Sequence, residues 1–139
     1  MLRPTIVAMF VLALPVANAQ DASAASSHAL CETHADAMLT ALGEAKYDAA
    51  AADFDDALRA RYTPAKLKQD YEWLPSNYGK VLGRGRPHSA EIDGRTVVMT
   101  PLIYENGTST VEVRCDAAGA ISELKLLPTQ AMGQPMVHP

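Results

Sequence analysis

The chain divides where its hydrophobic spacing changes. From His28 onward, Cys31, Ala35, Met38 and Leu42 recur at i, i+4, i+7 and i+11, one face of a helix that Gly43 can end. Tyr47, Ala50, Ala51, Phe54 and Leu58 form the next stripe, read as a second helix with Asp48 as its N-cap. Thr63-Pro64 is an N-cap followed by proline at the first helical position. Leu67, Tyr71, Leu74 and Tyr78 repeat the helical spacing behind it; Pro75 predicts a kink or a restart there, and Gly79 closes the helix.

Past Gly79 the period becomes two. Asp93-Gly94 and Asn106-Gly107 are hairpin-turn dipeptides. Between them runs "RTVVMTPLIY", Arg95 to Tyr104, a strand by its β-branched content, in which Pro101 predicts an edge position or a bulge. Its first partner is the second half of Lys80 to Ile92, whose first half Gly83, Gly85 and Pro87 make irregular. From Thr108, Val111, Val113 and Cys115 alternate with Thr110, Glu112 and Arg114. A turn over Asp116 to Gly119 leads to the last strand, Ile121 to Leu127, ended by Pro128. Helices followed by an antiparallel meander predict an α+β domain, N-terminal helices packed on one apolar face of a curved sheet.

The first residues belong to neither pattern. Met1 to Pro4 carries one positive charge, Thr5 to Val16 is apolar, and Ala17-Asn18-Ala19 precedes Gln20. That order is the plan of a secretory leader over residues 1–19, cleaved after Ala19. The apolar run falls short of the roughly 20 residues a membrane-spanning helix needs. Residues 20–27, Ala- and Ser-rich without periodicity, read as a flexible lead-in, residues 28–128 as a single domain, and 129–139 as a loose tail. The expected location is periplasmic or secreted.

Charge narrows the partners. Lys and Arg number 12 against 16 Asp and Glu, and cleavage would remove Arg3 as well. The one basic cluster is Arg84-Gly85-Arg86. Nucleic acid is therefore excluded as an expected partner, and no membrane association is expected once the leader is gone. Arg84 and Arg86 are candidates for contact with an anionic partner, against the plainer reading of a solvated loop. Cys31 and Cys115 are either a disulfide, as an oxidising compartment favours, or two buried thiols.

The run Lys46-Tyr47-Asp48-Ala49-Ala50, then Phe54-Asp55, Thr63-Pro64 with Leu67, Trp73-Leu74 and Tyr78-Gly79, with strands ending at Ile121, resembles a bacterial secreted domain family of unknown function. Members of that family also stand ahead of some α/β-hydrolase domains. The resemblance covers about Ala35 to Pro128, with Trp73 and Tyr78-Gly79 its most specific points. It implies the cystatin-like, or nuclear-transport-factor-2-like, fold, with the first helix packed on the sheet so that the stripes of Cys31 and Cys115 face each other. It carries no catalytic residues over, and no G-x-S-x-G elbow is present for hydrolase chemistry.

Such folds enclose a pocket, and some relatives use an Asp base with a Tyr donor. Asp53 and Asp70 are the candidate bases here, Tyr71 and Tyr78 the candidate donors. The chemistry would need a carboxyl of raised pKa in a dry cavity. Against it, Asp53 opens a run of acids that reads as a solvated helix face, and Tyr71 and Tyr78 share the core stripe of Leu67. Trp73 lies off that stripe, either under the sheet or at a pocket mouth. His28, Cys31 and His34 are zinc-ligand types, but steps of three drift by about 60° around a helix; they read as surface His flanking a core Cys, and no metal or cofactor is expected. The reading is a non-catalytic binding module for a small molecule, a peptide or a protein, with Trp73, Tyr78, Arg84 and Arg86 as binding candidates. The alternatives are an isomerase- or dehydratase-type enzyme and a homodimeric assembly domain with an open sheet face.

Overall fold

The computed structural model describes residues 19–129. The leader expected over 1–19 and the tail expected over 129–139 lie, but for Ala19 and Thr129, outside the described residues. Four helices come first: α1 (Ala19–Gly43), α2 (Tyr47–Ala50), α3 (Asp56–Arg61) and α4 (Pro64–Tyr78). Five strands follow: β1 (Val81–Arg84), β2 (His88–Ile92), β3 (Arg95–Tyr104), β4 (Gly107–Cys115) and β5 (Ile121–Thr129). The class is α+β, with a curved antiparallel sheet that does not close.

Each helix has a local cause. In α1 the predicted stripe of Cys31, Ala35, Met38 and Leu42 is buried throughout. The stretch 20–27, expected as a lead-in, continues α1 instead. It holds no Gly or Pro and is rich in alanine, so helix propensity suffices where packing gives no signal; Ala22 to Ser26 are exposed. The Thr63 hydroxyl accepts from the Lys66 amide at the start of α4, and Leu67, Tyr71 and Leu74 are its buried face. Pro75 does not restart the helix. It sits in the last turn, where few residues remain to lose alignment.

The stripe from Tyr47 to Leu58 is not one helix. α2 ends at Ala50, and Asp48 lies in its first turn rather than capping it; the N-cap is Lys46, with no side-chain bond. The chain straightens so that Phe54 forms a parallel bridge with Ile121. The Asp55 carboxylate then accepts from the Leu58 amide at 2.7 Å and starts α3. Phe54 is buried, and its bridge to β5 together with the Asp55 cap sets the break.

The sheet order is β1/β2–β3–β4–β5: β1 pairs with the end of β3, and β2 with its beginning. Pro101 thus lies in a central strand and not at an edge. It is tolerated because the neighbouring line of chain is broken opposite it, between Arg84 and His88, where the Gly85 amide donates to the Pro101 carbonyl at 2.8 Å. A Cβ at Gly85 would stand 3.0 Å from the Pro101 ring. The Asp93-Gly94 turn has both residues at positive φ, 52° and 71°, as a two-residue hairpin of this kind requires. At the next hairpin Tyr104 pairs with Gly107, so Glu105-Asn106 is the loop and Gly107 already belongs to β4. Gly107 is needed there for space: a Cβ would meet the Tyr78 ring at 2.9 Å.

The inward face carries Val98, Leu102 and Tyr104 from β3, Val111, Val113 and Cys115 from β4, and Ile121, Leu124 and Leu126 from β5. Cys31 and Cys115 form a disulfide across it, with Cα atoms 5.8 Å apart and both residues fully buried. The outward face of β4 and β5 is a lattice of charge. Arg114 stands 3.0 Å from Glu112 and 3.8 Å from Glu123, while Lys125 stands 3.5 Å from Glu112 and 3.9 Å from Glu123.

Candidate functional site

A groove of about 470 Å³ runs between α4 and β5. Its walls are Trp73 and Leu74 on the helix and Leu124 to Leu127 on the strand, with Tyr62, Gln69 and Asp70 at its polar end. The helix sets the division of labour. Leu74 faces the core, whereas Trp73, one position earlier and off the stripe, is left 50% exposed over the groove. The Trp73 ring is braced edge-on by Tyr78, centroids 6.1 Å apart, and Tyr78 in turn lies 5.9 Å from the Tyr104 ring. An aromatic ring held on one side and open on the other offers a rigid apolar contact at little entropic cost.

The polar end is closed on itself. The Tyr62 hydroxyl donates to one oxygen of Asp70 at 2.6 Å, and the Lys66 ammonium donates to both, at 2.7 and 2.9 Å. Burial pushes the Asp70 carboxyl up, but the Lys66 and Tyr62 hydrogen bonds outweigh it and hold the acid below the usual carboxylate range. Burial, reinforced by the Asp70 carboxylate, holds the Tyr62 hydroxyl well above its ordinary value. Asp70 is thus an ionised acid with its oxygens occupied. That is the opposite of the raised, available carboxyl a general base in a dry pocket requires.

The other candidates are dispersed. Asp53 lies against α1, its carboxylate 3.6 Å from His34 Nε2, while His34 Nδ1 is 2.8 Å from the Gly119 carbonyl. Tyr71 points into the core, where burial raises its pKa against a smaller opposing pull from Arg84. Arg84 is engaged within the chain, 3.2 Å from Asp36 and 3.3 Å from the Thr40 hydroxyl, and Arg86 lies exposed in the link between β1 and β2. Of the four binding candidates, Trp73 and Tyr78 come together and the two arginines stand apart from them. The Cys31 sulfur is taken by the disulfide, and His28 pairs with Glu32 at 3.3 Å. Among the described residues no group of three His, Cys, Asp or Glu could hold a metal ion.

Sequence reasoning missed Tyr62, Lys66 and the leucines of β5. The i,i+4 spacing of Lys66 and Asp70 was a readable signal for the ion pair. Leu126-Leu127 was another, since two adjacent leucines break the alternation of a strand and one must face outward; Leu127 does, 42% exposed. No family model matches the chain, and neither a curated protein nor a solved structure matches it significantly.

Proposed function

We propose that the chain is exported and, past its leader, is a non-catalytic binding domain of cystatin-like architecture that engages an extended polypeptide along the groove between α4 and β5. Helices placed ahead of an antiparallel meander support the architecture. The leader pattern and a buried disulfide support export, because such bonds persist in oxidising compartments. Among the described residues no helix is long and apolar enough to cross a membrane.

One observation carries the binding role: Trp73 stands half-exposed over an apolar groove whose far wall is the outermost strand of the sheet. A helix beside an open sheet edge accepts an added strand, with main-chain hydrogen bonds giving affinity and the groove selecting alternate side chains. Trp73 is the sole tryptophan, so its emission reports on this groove alone. Native mass spectrometry of protein exported by its own host should show a chain beginning at Gln20 with a retained polypeptide. Its release should shift the tryptophan emission to the red. A Trp73→Ala variant, folded as the parent by circular dichroism, should lose the retained mass; retention equal to the parent's would place the site elsewhere.

A further inference from the structure

Given the binding role of the α4–β5 flank, we propose that the strand added to β5 is β5 of a second copy of this chain. The two run antiparallel about a two-fold axis at Leu124, so that Glu123 of each copy faces Lys125 of the other.

The edge itself limits the partner. β5 pairs with β4 on one side. On the other, the chain covers only its beginning: the Ile121 amide donates to the Asp53 carbonyl at 2.9 Å, the Asp55 amide to the Ile121 carbonyl at 2.8 Å, and the Arg61 guanidinium to the Ser122 carbonyl at 3.1 Å. Among the described residues no strand pairs with β5 beyond that point. In a strand of L-residues, those whose side chains share a face also turn their N–H and C=O to the same edge. Ile121 faces the core and offers both groups to the outer edge; the register shift at Ser122, the extra residue between the Cys115–Ile121 and Arg114–Glu123 pairs, returns Leu124 and Leu126 to the core face, and their groups to that same edge. The edge beyond Ser122, with these groups unpaired among the described residues and leucines behind it, is a template for another strand.

Charge then selects the register. Symmetric pairing of β5 with itself can centre on Leu124, Lys125 or Leu126. Centred on Lys125, it sets two ammonium groups opposite each other. Centred on Leu126, it sets Lys125 against Leu127 and Glu123 against Thr129. Centred on Leu124, it makes the Glu123–Lys125 pair twice. It also extends the existing lattice with alternating sign. Glu112 and Lys125 of one copy are followed by Glu123 and Arg114 of the second, and Arg114 and Glu123 by Lys125 and Glu112. The paired stretch is centred on 123 to 125, and to extend it to 122 opposite 126 the incoming strand replaces the Arg61 guanidinium on the Ser122 carbonyl. The stretch ends where Phe54 covers Ile121 and before Pro128, which has no N–H to give. The two-fold axis keeps both apolar faces on one side and brings the two grooves together over the paired Leu124 side chains.

The test uses the exported full chain and two charge reversals, Glu123→Lys and Lys125→Glu. Light scattering and native mass spectrometry should show a dimer for the parent. Each reversal alone places like charges opposite each other in both pairs and should weaken the dimer at least about tenfold. An equimolar mixture of the two variants should recover a one-to-one heterodimer, because every cross-pair is again Lys against Glu. Thermal melts of each variant establish that it is folded before mixing. A parent that stays monomeric up to millimolar concentration overturns the proposal, as does a mixture of folded variants that fails to associate. A monomer that retains a foreign peptide at Trp73 overturns self-pairing and leaves the binding role standing. A dimer unaffected by either reversal overturns this register.

Discussion

Along one edge of the sheet the chain lays two short strands, β1 and β2, interrupts them at Gly85–Pro87, and ties them to α1 through Arg84 to Asp36 and Thr40 and through Ser89 to Glu32. Along the other edge it lays the nine residues of β5, regular from Glu123 on, and α4 stands back far enough to leave a groove. The first edge has the features that keep strands from recruiting others: short length, a proline, and charged side chains committed elsewhere. Between Glu123 and Leu127 the second has neither the short length nor the proline, and its two charges, Glu123 and Lys125, are of opposite sign. The disulfide reinforces the contrast, since it fastens α1 to β4 while nothing covalent holds α4. Cross-links are concentrated on the α1 flank, and open backbone and exposed aromatic surface on the α4 flank. In the proposed binding role, the second flank would accept a strand while the first holds the fold.

The largest effect expected breaks the rigid flank. Cys115→Ser, or reduction of the parent, should lower stability by about 2–5 kcal/mol; the loop closed by a bond across 84 residues corresponds to about 4–5 kcal/mol in the chain-entropy description. Chemical denaturation with and without reductant measures this. Thiol titration of the denatured, unreduced exported protein should find no free thiol. The contrast predicts more than a number: conditions that leave the reduced protein folded should increase hydrogen exchange in α1 without moving the Trp73 emission. A reduced protein whose Trp73 emission shifts before α1 loosens would show that the two flanks are not separable.

How much of this was legible beforehand follows from the reach of each signal. The stripes of α1 and α4 and the alternation of β4 are local, and they describe the buried faces correctly. The cysteine pair was legible as an alternative between a disulfide and two thiols, because both residues sit on apolar faces and only their distance decides. The break at Phe54 was not legible. Tyr47, Ala50, Ala51, Phe54 and Leu58 satisfy helical spacing, and what interrupts them is Ile121, far along the chain. Pro101 was misplaced for a related reason: its tolerance depends on a gap in the strand beside it. The groove combines both difficulties, since its walls come from the middle and the end of the described chain, and Trp73 is seen to overhang a groove only once Leu124 to Leu127 stand across from it.

A smaller effect sharpens the description of the open flank's polar end. The Asp70 carboxyl is held below its unfolded value, so its contribution to stability is fully present above the unfolded pKa and is lost as pH falls through the folded one. Asp70→Asn removes that dependence. It should lower stability at neutral pH by about 1 kcal/mol or less, as for other solvent-facing ion pairs, and flatten the acid limb of a stability-against-pH curve. If Asp70 were instead a base held protonated in a dry pocket, the same change would leave neutral-pH stability unchanged or raise it.

The smallest effect concerns the boundary between the α4 flank and the core. The Tyr104 and Ser109 hydroxyls are buried and near enough for Ser109 to favour the ionised Tyr104, but among the described residues neither meets a partner in full hydrogen-bond geometry. A buried polar group left unpaired costs about 1–3 kcal/mol, while its replacement by an apolar group of the same shape is close to neutral or favourable. Tyr104→Phe keeps the ring that Tyr78 rests on, and with it the brace behind Trp73. Stability should therefore change by less than about 1 kcal/mol or rise, with Trp73 emission unmoved, and Ser109→Ala on the same background should add no loss. Thermal melts of the single and double variants decide it. A loss above about 2 kcal/mol on Tyr104→Phe would mean that the hydroxyl is bonded in solution, and that the aromatic brace of the groove is anchored by polar contacts as well as by packing.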